Sequence, residues 1–447
     1  MPKQDTSLYT AQYSKWRWSI FTLLQPPRGF RDYLPEEWKA LKWLGEKFTE
    51  IAVLWGYSPV EAPILEHLEI LKKKAGPSVV DEIYWFKDKA GRELGIRFDY
   101  TVPLARAIAA RPELPKPIKW CYFGRAWRYD EPQAGRWREF WQFGVELVGL
   151  NNVEADAEVL ALAAECLKKV NVPDLRILIC DRRLVEKALG KMGVPKTIFG
   201  EVCRVIDKRK KISEEEFLSG LSRLGLPKDT CIKIADFSST LIPLRDSIDF
   251  VKDIDSELSE FFKKLVELLD SYGVLDLFKL DCSIVRGLEY YTGLVFEAYG
   301  GKGEKWNRLS IGGGGRYDEL IGLYREPGLP ATGFALGVDR IALLLKEYGK
   351  TLWIQEENKV LVFFFGKYFK EAVEAAYILR EKGLSASLDY TSRSIRDAIK
   401  YAVKTGYRYL AIIGEKEASS REISIKDLKE KKQVTVPLEK VHEAILS

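Results

Sequence analysis

The chain has 447 residues, of which 46% are hydrophobic and 30% are charged, and its formal net charge is +5 at pH 7. This length exceeds what one hydrophobic core usually organises, so we expect two to four domains. The composition excludes a fibrous or disordered chain, and neither a signal sequence nor a run of 18 apolar residues is recognisable. We therefore expect a globular, cytoplasmic protein without a membrane segment.

Cysteine and histidine are used too sparsely for most metal or nucleophile chemistry. The six cysteines are scattered singly, and the only histidines are His67 and His442. No Cys-x-x-Cys pair or histidine ligand spacing occurs, so we expect neither structural zinc nor a histidine-based triad, and no protein-ligated metal. The small positive charge does not by itself indicate a nucleic-acid partner.

The first half of the chain predicts one long helix followed by several strands. Residues 1–25 form an N-terminal extension without a recognisable pattern. Apolar residues at steps of three and four from Trp38 to Trp55, after Pro35, predict an amphipathic helix. A second helix is predicted around residues 155–170. Between the two helices, β-like runs cover residues 83–86, 95–100, 118–129 and 136–149.

The second half of the chain changes character twice. Residues 195–272 are rich in Lys, Glu and Leu and predict an inserted helical module. Strand-like runs resume near residue 277 with hairpin-length gaps, which favours an antiparallel sheet. After residue 355 strands alternate with helices, which is typical of a small α/β domain.

The most informative segment, residues 123–149, predicts two strands joined by a polar loop at residues 130–135. Alternate residues of a strand share a face. One predicted face is apolar and suits a core: Trp137, Trp141, Phe143, Val145 and Leu147. The other face carries cations, a ring, an amide and a carboxylate: Arg136, Arg138, Phe140, Gln142, Gly144 and Glu146. This polar face suits an extended anionic ligand with a hydrogen-bonding far end.

A solvent-facing strand whose charges are simply hydrated is the alternative interpretation of that face. Three features argue against it. Arg125 and Arg128 lie on the neighbouring predicted strand, opposite the same loop. The glycine run in "IGGGGRYD" (311–318) indicates close backbone approach to something bound. Arg340 begins a helix after "GFALGVD", and arginine grips phosphate oxygens through two nitrogens at once.

A further cation interrupts the strand-like run "IVRGLEYYTGLVFE" (284–297). Arg286 precedes the adjacent pair Tyr290 and Tyr291. A regular strand cannot point two successive side chains into one pocket. Either a turn or bulge interrupts the run, or one tyrosine is structural.

Together these motifs resemble those of class II histidyl-tRNA synthetases over nearly the whole chain. The segments that carry the resemblance are "PRGFRDYLPEE" (27–37), "RFDYTVPLAR" (97–106), the hairpin 123–149, "VRGLEYYTG" (285–293), "GGGRYD" (313–318) and "GFALGVDR" (333–340). The implied fold is an α+β catalytic domain built on an antiparallel β-sheet, with a helical insertion and a C-terminal α/β anticodon-binding domain. The corresponding boundaries are 26–194 and 273–350 for the catalytic domain, 195–272 for the insertion and 355–447 for the last domain.

The resemblance implies activation of L-histidine by ATP and Mg²⁺ to histidyl-adenylate and pyrophosphate, followed by transfer to the terminal ribose of tRNA(His). It also implies a homodimer, formed through "VEAPILE" (60–66). The implied catalytic arginines are Arg286, Arg128 and Arg340. The implied histidine-binding residues are Asp99, Thr101, Gln142, Glu146, Tyr290 and Tyr291. The implied ATP-binding residues are Arg128, Asp130, Arg136, Phe140 and Arg340.

The chain departs from the family pattern at two positions. Asp339 precedes the arginine of the last motif where many relatives have glutamate, which bears on metal contact, and Glu131 replaces a loop arginine, which bears on tRNA contact. Two other interpretations stay open. One is a non-catalytic paralogue similar to the regulatory subunit of ATP phosphoribosyltransferase, which would sense histidine without turnover. The other is a synthetase for glycine, proline or threonine.

Overall fold

The computed structural model describes residues 24–74, 81–133, 135–285, 291–350 and 358–446. The chain divides into two compact units, Met1–Leu352 and Trp353–Ser447. The first elements are, in chain order, α1 (Pro35–Leu54), β1 (Ser58–Pro59), β2 (Leu65–His67), α2 (Leu68–Lys74), β3 (Trp85–Lys87), β4 (Glu93–Ile96), α3 (Thr101–Ala109), β5 (Ile118–Trp127), β6 (Glu139–Val148) and α4 (Val153–Lys169).

Helix α1 confirms the predicted amphipathic pattern. Pro35 occupies its first turn, where a missing N–H costs nothing, and Glu36 and Glu37 complement the helix dipole there. Leu44 and Phe48 are fully buried, each with 0% exposure. The helix packs across β5 and β6, so it covers one face of the sheet and leaves the other face available.

The remaining elements of the first unit include a mostly helical stretch. In chain order they are β7 (Arg176–Asp181), α5 (Arg182–Lys191), α6 (Phe199–Ile206), α7 (Glu214–Ser222), α8 (Lys228–Ser238), β8 (Leu241–Pro243), α9 (Ser247–Ile254), α10 (Ser256–Ser271), β9 (Phe278–Asp281), β10 (Leu294–Tyr299), α11 (Glu304–Arg308), β11 (Gly312–Arg316), β12 (Ala331–Gly337) and α12 (Val338–Glu347). The segment 195–272 consists mainly of helices α6 to α10, joined by turns and by β8, and its buried side chains, such as Phe217, belong to the main hydrophobic core.

A nine-stranded sheet organises the first unit, in the order β1-β5-β6-β12-β11-β10-β7-β9-β8. Only the pairs β1–β5 and β7–β9 are parallel, so the sheet is predominantly antiparallel as predicted. A separate three-stranded sheet has the order β2-β4-β3. The centre of the large sheet, from β6 to β10, brings together segments that lie up to about 200 positions apart in the chain.

The second unit is a small α/β domain. Its elements are β13 (Val360–Phe364), α13 (Phe369–Glu381), β14 (Ala386–Leu388), α14 (Ile395–Lys404), β15 (Tyr409–Ile413), α15 (Glu415–Ser420), β16 (Glu422–Asp427), β17 (Gln433–Pro437) and α16 (Glu443–Leu446). Five strands pair in the order β14-β13-β15-β16-β17, parallel among the first three and antiparallel beyond them. The alternation predicted after residue 355 is therefore confirmed for the described part of this unit.

Candidate active site

A cavity of about 360 Å³ opens on the face of the large sheet that carries the predicted polar residues. Strands β6, β10, β11 and β12 supply much of its wall. The predicted site residues that line it are Asp99, Thr101, Arg128, Asp130, Arg136, Phe140, Gln142, Glu146, Tyr291 and Arg340. The opposite parity of β6 is core, with Phe143, Val145 and Leu147 each at 0% exposure. From Phe143 onward the strand therefore separates polar and apolar residues as its period of two predicts. Trp137 and Trp141, which the sequence placed in the core, are only partly buried and line the cavity.

Three arginines meet at one end of the cavity. Arg340, at the start of α12, donates to the carbonyl oxygens of Gly135 at 2.8 Å and Ser310 at 2.7 Å. Burial, followed by the positive charges of Arg128 and Arg136, lowers the pKa of Arg340 to about 10. The protein thus holds like charges close together, an arrangement that costs free energy until an anion offsets it.

The neighbouring residues orient this cationic end. The Nε of Arg136 lies 2.8 Å from a carboxylate oxygen of Asp130. The Nε of Arg128 donates to the carbonyl of Phe98 at 3.0 Å, and its guanidinium carbon lies 5.3 Å from the ring centroid of Phe140. An anion and a flat aromatic group can therefore be held side by side, since guanidinium groups bind phosphate oxygens and aromatic rings alike.

The other end of the cavity combines a carboxylate with a phenol. Glu146 is 3% exposed, and its neighbours include Tyr291. Burial first, then the negative charges of Glu146 and Asp99, raises the pKa of Tyr291, so its hydroxyl stays protonated. Asp99 accepts a hydrogen bond from the backbone N–H of Val102 at 3.2 Å, which fixes it at the start of α3. This end of the cavity can accept one hydrogen bond from a small polar ring and donate another to it.

A glycine on the adjacent strand makes room for the carboxylate. Gly333 pairs with Glu146 across the sheet, and a Cβ at residue 333 would lie 2.3 Å from Oε2 of Glu146 and 3.0 Å from the hydroxyl oxygen of Tyr317. Any larger residue would displace the carboxylate. The small residue on β12 is thus part of the pocket.

The glycine run has a physical reason in addition to the expected one. A Cβ on Gly314 would lie 2.0 Å from the carbonyl oxygen of Gly333, and one on Gly315 would lie 2.2 Å from that of Leu294. Close approach of neighbouring strands therefore requires these two glycines, whatever is bound. Gly312, Gly313 and Gly314 also line the cavity, so the run serves both purposes.

Two arginines that the sequence placed with the ligand face lie elsewhere. Arg125 is ion-paired with Glu139 at 3.5 Å and its guanidinium lies over the Trp141 ring, outside the cavity. Arg138 donates to the carbonyl of Asp130 and covers the Tyr129 ring. The expected convergence was wrong for both arginines. Arg125 pairs with Trp141 across β5 and β6, so it lies on the opposite face from Phe140. Arg138 precedes β6, which begins only at Glu139, and follows the loop.

Arg286 and Tyr290 lie outside the described residues. The strand predicted over 284–297 is described only from Leu294 to Tyr299, as β10. Tyr291, just before it, does line the cavity. The open question of which tyrosine faces the ligand is thus answered only for Tyr291.

The structure adds residues that the sequence reasoning missed. Glu297 on β10 and Tyr317, after β11, line the cavity. Glu82 also lies near the cationic end, where burial and then the charge of Asp130 raise the pKa of its carboxyl, against the lowering effect of Arg128 and Arg136. Glu297 is the only charged residue of β10 and lies between the buried Phe296 and Ala298, and this contrast in the sequence could have indicated it.

The departure at Asp339 has a structural explanation. Its carboxylate, on a residue that is 2% exposed, accepts hydrogen bonds from Arg31, from the hydroxyl of Tyr33 and from the backbone N–H of Trp141. Asp339 therefore joins the segment before α1 to β6 and α12. The other departure, Glu131, pairs with Arg28 at 2.8 Å on the surface.

No group of three or more His, Cys, Asp or Glu side chains is arranged to hold a metal ion within the described residues. Similarly, none of the described helices reaches the length and apolar content needed to span a lipid bilayer.

A mostly antiparallel sheet with an arginine-lined cavity on one face, followed by a separate α/β unit, defines a class II aminoacyl-tRNA synthetase. A family model described as histidyl-tRNA synthetase matches residues 29–341, and one described as anticodon binding domain matches residues 359–447. The chain belongs to the histidyl-tRNA synthetase family.

Individual relatives agree with this assignment. The histidine–tRNA ligase of Pyrobaculum arsenaticum is 43% identical over 93% of this chain and 97% of its own length. That of Pyrococcus horikoshii is 35% identical over 94% of this chain and 98% of its own. The solved histidyl-tRNA synthetase of Nostoc sp. PCC 7120 superposes with a TM-score of 0.81 at 27% identity, over 94% of this chain and 98% of its own. The activity of this chain is therefore the ATP-dependent attachment of histidine to tRNA.

Proposed function

We propose that the cavity on the large sheet forms histidyl-adenylate from L-histidine and Mg-ATP and then passes histidine to the terminal ribose of tRNA(His), in the cytoplasm. One observation carries the proposal. Three arginines, two from the connection after β5 and one from α12, meet at one end of a cavity whose other end holds a buried carboxylate beside a protonated phenol. The two ends suit a triphosphate and an imidazole.

At the cationic end Arg128 contacts the α-phosphate, and Arg136 and Arg340 hold the β- and γ-phosphates. A carboxylate oxygen of histidine attacks the α-phosphorus, a new O–P bond forms, and the bond to pyrophosphate breaks. Two anions approach each other in this step, so fixed positive charge lowers the barrier. The substrate is its own nucleophile, which fits a site built from positioning groups.

The adenine stacks on Phe140, and Arg340 covers its other side. Asp130 accepts from the adenine amino group. Because Asp130 is ion-paired with Arg136, ATP binding exchanges part of that contact for contacts to the base and the phosphates.

Histidine lies at the other end of the cavity. Glu146 accepts the N–H of one imidazole nitrogen, and the hydroxyl of Tyr291 donates to the other. Gln142, Asp99 and Thr101 hold the α-amino group. A buried site that satisfies both ring nitrogens rejects amino acids that lack them by roughly 10⁴ or more, since its polar groups would otherwise be unpaired.

The sequence motif "VRGLEYY" assigns two further groups to this site. Arg286 stabilises the charge that develops between the histidine carboxylate and the α-phosphate, and Tyr290 belongs to the histidine pocket. Mg²⁺ enters with ATP as part of the substrate. Glu297 lines the cavity and is a carboxylate that suits this hard cation.

The protein works as a homodimer, and residues 355–447 bind the anticodon region of tRNA(His). The surface around "VEAPILE" supports a dimer contact, since Ile64 is 49% exposed, Leu65 42%, Trp85 52% and Phe86 43%. These four exposed apolar side chains lie on β2 and β3 of the three-stranded sheet or immediately before β2. Such a patch is typical of a protein interface.

Histidine-dependent exchange of pyrophosphate into ATP tests the proposal. The Arg128→Gln variant should lose roughly 10² or more in rate, because it removes charge stabilisation of the transition state. Arg125→Gln is the matched control, since Arg125 lies only three residues before Arg128, on β5, but outside the cavity. Arg286→Ala should fall by a similar factor. Equal activity of Arg128→Gln and Arg125→Gln would exclude the assigned role.

A further inference from the structure

Tyr291 lines the cavity from a short segment that precedes a strand. Strand β10 begins only at Leu294, so residues 291–293 lie before the regular hydrogen bonding of the sheet. The place of a side chain outside a strand depends on what the backbone groups around it bind. The contacts of residues 291–293 therefore decide where the hydroxyl of Tyr291 lies in the cavity.

Strand β11 and the residues after it hold this segment on one side. The backbone N–H of Thr292 donates to the carbonyl oxygen of Arg316 at 2.8 Å. The side-chain oxygen of Thr292 accepts from the backbone N–H of Asp318 at 3.1 Å. Both contacts are made by Thr292, the residue that follows the cavity-lining tyrosine.

Arg182 holds the same segment on the other side. It follows β7 directly and is the first residue of α5. Its backbone N–H donates to the carbonyl oxygen of Gly293 at 3.0 Å, and its Nη1 donates to the carbonyl oxygen of Tyr291, also at 3.0 Å. One residue thus binds both ends of the segment, through its backbone and through its side chain.

The guanidinium of Arg182 is itself oriented by a neighbouring acid. Its Nε donates to a carboxylate oxygen of Glu186, one helical turn later, at 2.7 Å. Because a guanidinium is rigid and planar, a hydrogen bond at Nε restricts the directions in which Nη1 can point. The contact with Tyr291 also involves a charged donor, which makes it stronger than one between neutral groups.

Stabilisation of α5 does not account for this arginine. The first turn of α5 reads Arg-Arg-Leu-Val, and positive charge near the start of a helix is opposed by the helix dipole. The buried Asp181 offsets the charge of Arg183, whose Nε and Nη2 lie 2.9 and 2.7 Å from its carboxylate oxygens. Arg182 binds Glu186 instead, and a solvent-exposed pair of this spacing contributes little to stability. The contact with Tyr291 supplies the missing reason for Arg182.

We propose that Arg182 is a positioning residue for the recognition of histidine. Through the carbonyl of Tyr291 it sets the place of the hydroxyl that meets the imidazole ring. Arg182 is not among the described residues that line the cavity, so it acts through Tyr291 and not on the substrate. This inference rests on the proposed function, in which that hydroxyl donates to one ring nitrogen. Hydrogen bonds weaken steeply as their geometry departs from the optimum, so a small shift of this backbone lowers the affinity for histidine.

Histidine-dependent exchange of pyrophosphate into ATP by the full-length protein tests the inference. Arg182→Gln should raise the KM for histidine by roughly tenfold, which is about what one hydrogen bond contributes to affinity. The KM for ATP should change by less than about twofold, because the arginines at the other end of the cavity are untouched. Arg182→Lys keeps a cation that can reach one carbonyl and should give an intermediate KM for histidine. This variant decides the test if Arg182→Gln does not fold.

Arg183→Gln is the matched control. Arg183 also lies in the first turn of α5, but it binds Asp181. General damage to the start of α5 would affect both variants alike, so a rise in the KM for histidine in Arg182→Gln alone separates positioning from stability. Melting temperatures of both variants, measured by differential scanning fluorimetry, verify that they are folded.

A double-mutant cycle tests whether Arg182 acts through the hydroxyl of Tyr291. Tyr291→Phe removes that hydroxyl and should lower kcat/KM for histidine by roughly tenfold. Adding Arg182→Gln to Tyr291→Phe should then lower kcat/KM by less than about twofold further, since the group that Arg182 positions is already absent. Losses that multiply, to roughly 100-fold in the double variant, would overturn the inference.

Two outcomes separate this inference from the proposed function. If Tyr291→Phe loses activity with histidine but Arg182→Gln behaves like Arg183→Gln, the role of Arg182 is wrong and the proposed function stands. If Tyr291→Phe itself leaves the use of histidine unchanged, the assignment of Tyr291 in the proposed function fails, and the inference fails with it.

Discussion

Arg316 and Asp156 form a buried ion pair that joins β11, the glycine-rich strand, to α4. The Nε of Arg316 lies 3.0 Å from both carboxylate oxygens of Asp156, and the two residues are 5% and 1% exposed. The same guanidinium also donates to the carbonyl oxygens of Leu150 and Asn152. The arginine of "GGGRYD" is therefore a structural clamp under the sheet, and the cavity lies on the other side of its strand.

The first prediction concerns this clamp. Asp156→Ala should lower the free energy of unfolding by about 3 to 5 kcal/mol, because it leaves a buried guanidinium without its counter-charge. Urea denaturation of the purified protein measures the loss. Arg28→Gln, which removes the exposed pair with Glu131, is the comparison and should cost less than about 1 kcal/mol. A similar small loss in both variants would contradict the structural role of Arg316.

The second prediction concerns Asp339, which accepts from Arg31, Tyr33 and the backbone of Trp141 and immediately precedes Arg340. Asp339→Asn should lower kcat/KM for ATP by roughly tenfold or more, through a higher KM and a lower kcat. The reason is that Arg340 and β6 would lose the carboxylate that holds both. The KM for histidine should change much less. Asp339→Glu keeps the charge and should recover part of the loss. Steady-state pyrophosphate exchange measures these values, and an unchanged KM for ATP would count against the anchor.

The third prediction concerns the choice of amino acid. Glu146→Gln should lower kcat/KM for histidine by roughly 10- to 100-fold, because a charge-assisted hydrogen bond contributes about 1.5 to 3 kcal/mol. The KM for ATP should stay near the wild-type value. Glu139→Gln is the control, since Glu139 begins the same strand but lies outside the cavity and accepts from Trp127. If both variants lose histidine activity equally, Glu146 does not bind the ring.

The fourth prediction follows from the repulsion among the arginines. Burial and the charges of Arg128 and Arg136 lower the pKa of Arg340 to about 10, below its ordinary value of 12.5. The charged form is therefore the unfavourable one in the folded state. This cost is fully present below pH 10 and is relieved as the pH rises from there toward 12.5.

Removal of a neighbouring positive charge should also relieve the cost of keeping Arg340 charged, and should do so at neutral pH. Ligand-free Arg128→Gln should melt at or above the temperature of wild type, although it is inactive in exchange. ATP should stabilise wild type by about 2.7 kcal/mol at a concentration 100 times its Kd, and much less in the variant at the same concentration. Differential scanning fluorimetry measures both effects. A clearly lower melting temperature for the ligand-free variant would contradict the repulsion.

The sequence predicted most reliably where one local period controls the outcome. The spacing of apolar residues at steps of three and four predicted the buried face of α1. The period of two in β6 predicted that Phe140, Gln142 and Glu146 lie on the face away from the core. Those inferences needed only the geometry of one element. Arg138 was placed wrongly because the alternation was extended into residues that precede the strand, where loop geometry decides direction.

By itself the sequence determined the class of fold, the family and the parity of the strand that carries Glu146, because these depend on local periods and on motifs whose residues are near neighbours in the chain. Only the tertiary structure decided that Arg128 and Arg340 share a cavity while Arg125 does not, that Gly333 makes room for Glu146, and that Arg316 is a clamp. Each of these facts depends on which strands lie side by side, and strand pairing joins residues that are distant in sequence.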